Sequence, residues 1–107
     1  MQGAPDNKEV LSNLALTLAT AADPALRNGA DAVQFAERAA KLTKTPNPNT
    51  LAILAAAYAE AGEFPKAVET GEQAWLLADS RGQKQLADGL RPKLKLYRAG
   101  KPYHEAN

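Results

Sequence analysis

The stretch LAILAAAYAEAGEFPKAVETGEQAWLLA, residues 51–78, reads as two helices folded back on each other across one tight turn. Leu51, Leu54, Ala55 and Tyr58 recur at helical spacing and fall on one stripe of a first helix. Ala67, Gly71 and Ala74 make a stripe on a second, and small residues there let antiparallel helices approach closely. Gly62 stands where the first helix needs a left-handed residue after its last turn, and Phe64 can plug the corner. Gly71 leaves a small gap at the crossing, which Tyr58, Phe35 or Trp75 is expected to fill. It also costs about 1 kcal/mol against alanine in a helix interior.

A second copy of the pattern lies upstream. Leu11, Leu14, Ala15 and Leu18 reproduce the spacing of the first stripe, and Ala32, Ala36 and Ala39 that of the second. The second stripes are offset by 35 positions (Ala32 to Ala67), the first by 40 (Leu14 to Leu54), so the upstream copy carries an insertion. It falls at residues 22–29, where Asp23-Pro24 is a helix-start signal and Asn28-Gly29 a turn signal. One extra helical turn, Pro24 to Arg27, is expected there.

This spacing resembles the tetratricopeptide repeat, a helix-turn-helix unit of about 34 residues. Departures are Leu51 where tryptophan is usual, Ala55 for glycine, Gly71 for a bulky aromatic and Asp79 for the closing proline. The run Leu94 to Tyr103, LKLYRAGKPY, is similar to the ending of such segments in many large bacterial proteins. That likeness implies a terminal module whose parent continues on the N-terminal side, with the first helix packed on upstream sequence. Val10, Leu14 and Leu16 agree, since they spread apolar character beyond one stripe.

The expected fold is therefore all-α: an antiparallel stack of two repeats plus a C-terminal capping helix. Residues 1–5 are expected to be a flexible N-terminus, 6–100 one domain, with repeats at about 8–46 and 48–81 and the cap at about 83–99, and 101–107 a tail. Asp6 with Glu9 forms a capping box for a first helix reaching about Ala21. Asn28 or Asp31 opens a second that runs to about Lys44. Thr45-Pro46-Asn47-Pro48 makes the next turn, with Asn47 as N-cap and Pro48 as first residue of a third helix ending at Ala61. A fourth begins at Phe64 or Pro65 and ends near Ser80, and a fifth covers Gln83 to Ala99. Pro92 inside it must kink or break it; the apolar stripe Leu90, Leu94, Tyr97 stays in phase, which favours a kink.

Function follows less directly. In the tetratricopeptide family, peptides bind the concave face made by the first helix of each repeat. The resemblance places Glu9, Ser12, Leu16 and Ala19 there from one repeat, and Asn49, Ala52, Ala56 and Ala59 from the other. Such a groove is shallow, alanine-lined and weakly polar. It lacks the lysine, asparagine and arginine set with which chaperone-binding members clamp a terminal carboxylate. It can take an apolar helix or an extended segment, or pack on the chain's own tail with Tyr103 as anchor.

The fifth helix offers a second surface. Lys84, Arg91, Lys95 and Arg98 share a face opposite Leu86, Leu90, Leu94 and Tyr97. Residues 81–101 hold seven Lys or Arg against Asp88, a local +6 that leaves −5 on the remainder of a chain with net charge +1. This basic face is either a polar cap that keeps the end of the stack soluble or a docking face for an acidic partner. Nucleic acid is disfavoured by the near-neutral total and the lack of a recognised motif, and a membrane by the lack of a span of roughly 20 apolar residues. An acidic body with a basic last helix also suits head-to-tail self-association into a homo-oligomer.

Catalysis finds no support. The single histidine, His104, sits beside Glu105 near the end and is expected to be solvated, with no nucleophile set, metal-ligand cluster or phosphate loop around it. Cysteine is absent, which removes disulfides, thiolate chemistry and cysteine-bound metals. No catalytic residue, metal or cofactor is expected, and the expected partner is a protein or peptide.

Overall fold

The computed structural model describes residues 8–21, 25, 27–43 and 47–104, with side chains from Val10 onward. Among them five α-helices follow in order: α1 (Lys8–Thr20), α2 (Gly29–Leu42), α3 (Pro48–Glu60), α4 (Phe64–Ser80) and α5 (Lys84–Arg98). Each helix packs on the next, and α1 also reaches α3. The result is an all-α stack of helical hairpins with α3 at its centre. Residues 1–5, Asp6 of the capping box, Asp23-Pro24, Leu26 of the extra turn expected at Pro24 to Arg27, and Thr45-Pro46 lie outside the described residues.

Local chemistry sets the helix starts. Asn28 is the N-cap of α2, its side-chain oxygen accepting from the Asp31 backbone N–H at 3.1 Å, which decides between the two expected openings. Asn47 caps α3 by accepting from the backbone N–H groups of Asn49 and Thr50, and Pro48 occupies the first turn, where no intrahelical donor is needed. The helix ends repeat one device. Gly62 adopts φ +83°, its N–H donates to the Ala59 carbonyl, and the Glu63 N–H reaches back to Tyr58 at 2.8 Å. The same pair of bonds closes α4 at Gly82 and Gln83, and α5 at Gly100 and Lys101.

The upstream hairpin keeps the closing bond but spans more chain to make it. Leu18, the counterpart of Tyr58, accepts from the Asn28 N–H at 2.7 Å, ten positions on rather than five. The five-residue difference between the repeat offsets is thus accommodated between Leu18 and Asn28, without disturbing how α2 begins.

Thirteen of the seventeen buried hydrophobic residues among those described are alanines, so the helices lie close together and few large side chains fill the space between them. One cluster joins Ala15, Ala19, Ala32, Ala36, Ala56 and Ala57, with Leu18, Val33, Phe35, Ile53 and Leu54 around it. The other joins Ala55, Ala59, Ala67, Leu94 and Tyr97. Helix α3 belongs to both, and its run Leu51 to Ala59 carries no charge because a neighbour covers nearly every side.

One expectation changes here, and one alternative, kink or break at Pro92, is decided against the break. The gap at Gly71 is filled by Leu94 of α5, not by Tyr58, Phe35 or Trp75: a Cβ at Gly71 would lie 2.7 Å from Leu94 Cδ2. And α5 runs unbroken through Pro92. Pro92 and Asp88 are both exposed, so the Asp88 carbonyl that loses its intrahelical donor lies on the solvent side, where water can satisfy it.

Gly29 has a role that the turn signal does not convey. A Cβ there would come within 2.6–2.7 Å of backbone atoms of Glu60 and Ala61, so the start of α2 lies directly against the end of α3. Backbone on both sides cannot give way as a side-chain tip can. Gly29→Ala is expected to destabilise the chain by about 1–3 kcal/mol, the usual cost of overpacking, although alanine is the better helix former. Urea unfolding checks this, and an unchanged midpoint would show that the two helix ends can separate freely.

Candidate functional site

The residues expected in a concave groove divide into two groups. Ser12 and Asn49 come together, lining a cleft of about 370 Å³ between α1 and α3 with Asn13, Thr43, Asn47, Thr50 and Ile53. Asn49 also borders a second cleft beside Gly82 to Leu86. Leu16 is exposed, Ala52 is half-buried, and Glu9 lies in the first turn of α1 with its side chain outside the described set. Ala19, Ala56 and Ala59, in contrast, are buried and cannot line an open groove. Direct packing of α1 on α3 encloses Ala19 and Ala56, while Ala59 lies under the cluster that includes α4, α5 and Tyr103. The accessible surface near this groove is consequently built of amides and hydroxyls rather than alanine methyls.

The tail also differs from expectation. His104 is not simply solvated: its Nε2 lies 2.7 Å from Glu60 Oε1 at the end of α3. Half-buried Tyr103 packs on the core beside α3, and Lys93 Nζ sits 4.7 Å from its ring centroid. Residues up to His104 therefore fold back along the stack.

All four residues of the basic face are exposed, and two of them, Arg91 and Arg98, border Leu94 of the apolar stripe. Arg91, Leu94 and Arg98 are spaced three and four apart, which places them on one flank of α5, turned toward α4. With Glu72, Trp75 and Leu76 of α4 they line a cleft of about 540 Å³. The Arg91 guanidinium lies 5.7 Å from the Trp75 ring centroid, and Arg98 pairs with Glu72 at 2.7 Å. Both members of that pair are about half exposed, so solvent screens it. Lys84 and Lys95 are not among the lining residues. Glu72, Trp75 and Leu76 are not among the site residues expected from the sequence; the i, i+4 step from Leu94 to Arg98 is the signal that points across to them.

Comparison of the chain with protein-family models, curated proteins and solved structures gave no match. Among the described residues no group of three or more His, Cys, Asp or Glu side chains could hold a metal ion, and no helix is long and apolar enough to cross a membrane.

Two tyrosines carry perturbed phenols. Tyr58 is pushed up to about 12, first by burial and then by the hydrogen bond it donates to Glu37 at 2.9 Å, with the Glu37 and Glu63 charges adding to it. Burial, and after it Tyr103, raises Tyr97 as well. The Tyr97 hydroxyl is buried without a hydrogen-bond partner among the described residues. Both resist ionisation first because burial disfavours a phenolate, and at Tyr58 also because the Glu37 and Glu63 carboxylates repel one. A raised folded value means that the stability linked to these protons is complete below the unfolded value of 10.0 and is lost as pH rises beyond it. Thermal melts are expected to show stability falling above about pH 10. Tyr97→Phe should flatten part of that fall and, by removing an unpaired buried hydroxyl, gain up to about 1 kcal/mol at neutral pH. A clear loss of stability at neutral pH would show that the hydroxyl is satisfied in solution.

Proposed function

We propose that this chain is a non-catalytic protein-interaction or assembly module of the tetratricopeptide type. The observation that carries this reading is the repeated hairpin, in which Leu18 and Tyr58 at equivalent positions accept from the N-cap residue of the following helix. A stack built this way has a closed core and two side surfaces, and binding is what such surfaces serve. The partner face in this reading is the polar cleft around Ser12, Asn13 and Asn49, which suits the backbone amides of an extended peptide. A photo-crosslinking residue placed at Ser12 or Asn49 is expected to trap a partner protein in cells, while the same residue at exposed Lys66 traps far less. Equal labelling at the three positions would sink this assignment of the face.

A second reading, self-association, rests on a different observation. Val10 and Leu14, one turn apart on α1, are 47% and 44% exposed, and Leu42 at the end of α2 is exposed as well. The antiparallel hairpin brings the start of α1 beside the end of α2, so these three lie at one end of the stack. Sedimentation equilibrium at low and high salt is expected to show an oligomer that is insensitive to salt and dissociates in Leu14→Glu, with Leu16→Glu having less effect. A monomer throughout removes this reading, and loss in Leu16→Glu alone would move the contact to the side facing the polar cleft.

A further inference from the structure

The cleft between α4 and α5 combines an apolar floor with a cationic rim. Trp75 and Leu94 form the floor, and Leu76, at 61% the most exposed large hydrophobic residue among those described, stands at its edge. Its volume of about 540 Å³ lies within the range of about 300–1,000 Å³ seen for ligand sites. The groove runs between two antiparallel helices, the geometry in which a third helix lies along ridges and grooves. Arg91, held over the Trp75 ring, and Arg98 border it.

Charge decides what kind of helix fits. Residues 81–101 carry a local +6, and the one acid lining the cleft, Glu72, is already on Arg98. That pair shows the approach by which a carboxylate reaches the rim, and only one guanidinium nitrogen is used at 2.7 Å. Given the reading of this chain as an interaction module, on which the inference rests, we propose that the cleft docks an acidic amphipathic helix of another protein. One large apolar side chain of that helix seats on Trp75, Leu76 and Leu94, and flanking carboxylates pair with Arg91 and Arg98. Glu72 competes with the ligand for Arg98.

Trp75 is the only tryptophan, so its fluorescence reports on the cleft directly. The probe is a tryptophan-free helical peptide of about 16 residues with glutamates flanking a central phenylalanine, beside a control with glutamine for every glutamate. The acidic peptide is expected to change the emission saturably, with a Kd of roughly micromolar order that weakens with added salt. Arg91→Gln with Arg98→Gln, both exposed and checked for folding by circular dichroism, should weaken binding about tenfold. Lys84→Gln, outside the cleft, should change it less than about twofold, and Glu72→Gln should tighten it. Equal binding of the glutamine peptide, or no saturation, overturns the proposal. So does tighter binding of a single-stranded oligonucleotide lost in the same arginine variant, or a concentration-dependent emission change without peptide, which would assign the cleft to a second copy. If cross-links at Ser12 and Asn49 persist while the acidic peptide fails, this inference falls and the interaction-module reading stands.

Discussion

Close approach of backbones around α3 is the constraint on which the rest of the stack depends. With alanine on nearly every inward position, each helix contributes little apolar area, and the stability that area supplies must come from proximity. Gly29 against Glu60 and Ala61, and Gly71 beneath Leu94, are the points where even one methyl is in dispute. The same constraint explains why α3 carries no charge from Leu51 to Ala59 and why its alanines are unavailable to a ligand.

Helix order, caps and ends were legible because they rest on local chemistry. Asn47-Pro48, Gly62 and Asn28 mark structure within a few residues of themselves, and the unequal repeat offsets located the insertion that the Leu18–Asn28 bond closes over. What escaped depends on which helix lies against which. Ala56 and Ala59 occupy positions that face a groove if α3 has one open side, and their burial follows from α1, α5 and the tail, whose placement no single stripe encodes. Leu94 reaching Gly71, and His104 reaching Glu60 across 44 positions, are long-range contacts of the same kind. The basic face shows an intermediate case: its four members were legible, while its border with Trp75 required α4 to be in place.

Electrostatics divides the two helices of the last hairpin. Helix α4 holds Glu69, Glu72 and Asp79 against Lys66, and α5 answers with a cationic row, so neighbouring helices carry opposite signs. The exposed Arg98–Glu72 pair adds little stability by itself in water. Its larger effect is to hold one arginine side chain along the seam and so to shape the surface that Trp75 and Leu76 present.

The hydrogen bond from Asn28 to Leu18 also bears on how this architecture tolerates change. It ties the first hairpin at a point common to both repeats, so the number of residues between Leu18 and Asn28 is decoupled from the register of α2 on α3. Adding residues to a closed loop raises its entropic cost only slowly. That makes the segment between Leu18 and Asn28 the natural place for grafting a foreign loop while the alanine core keeps its geometry.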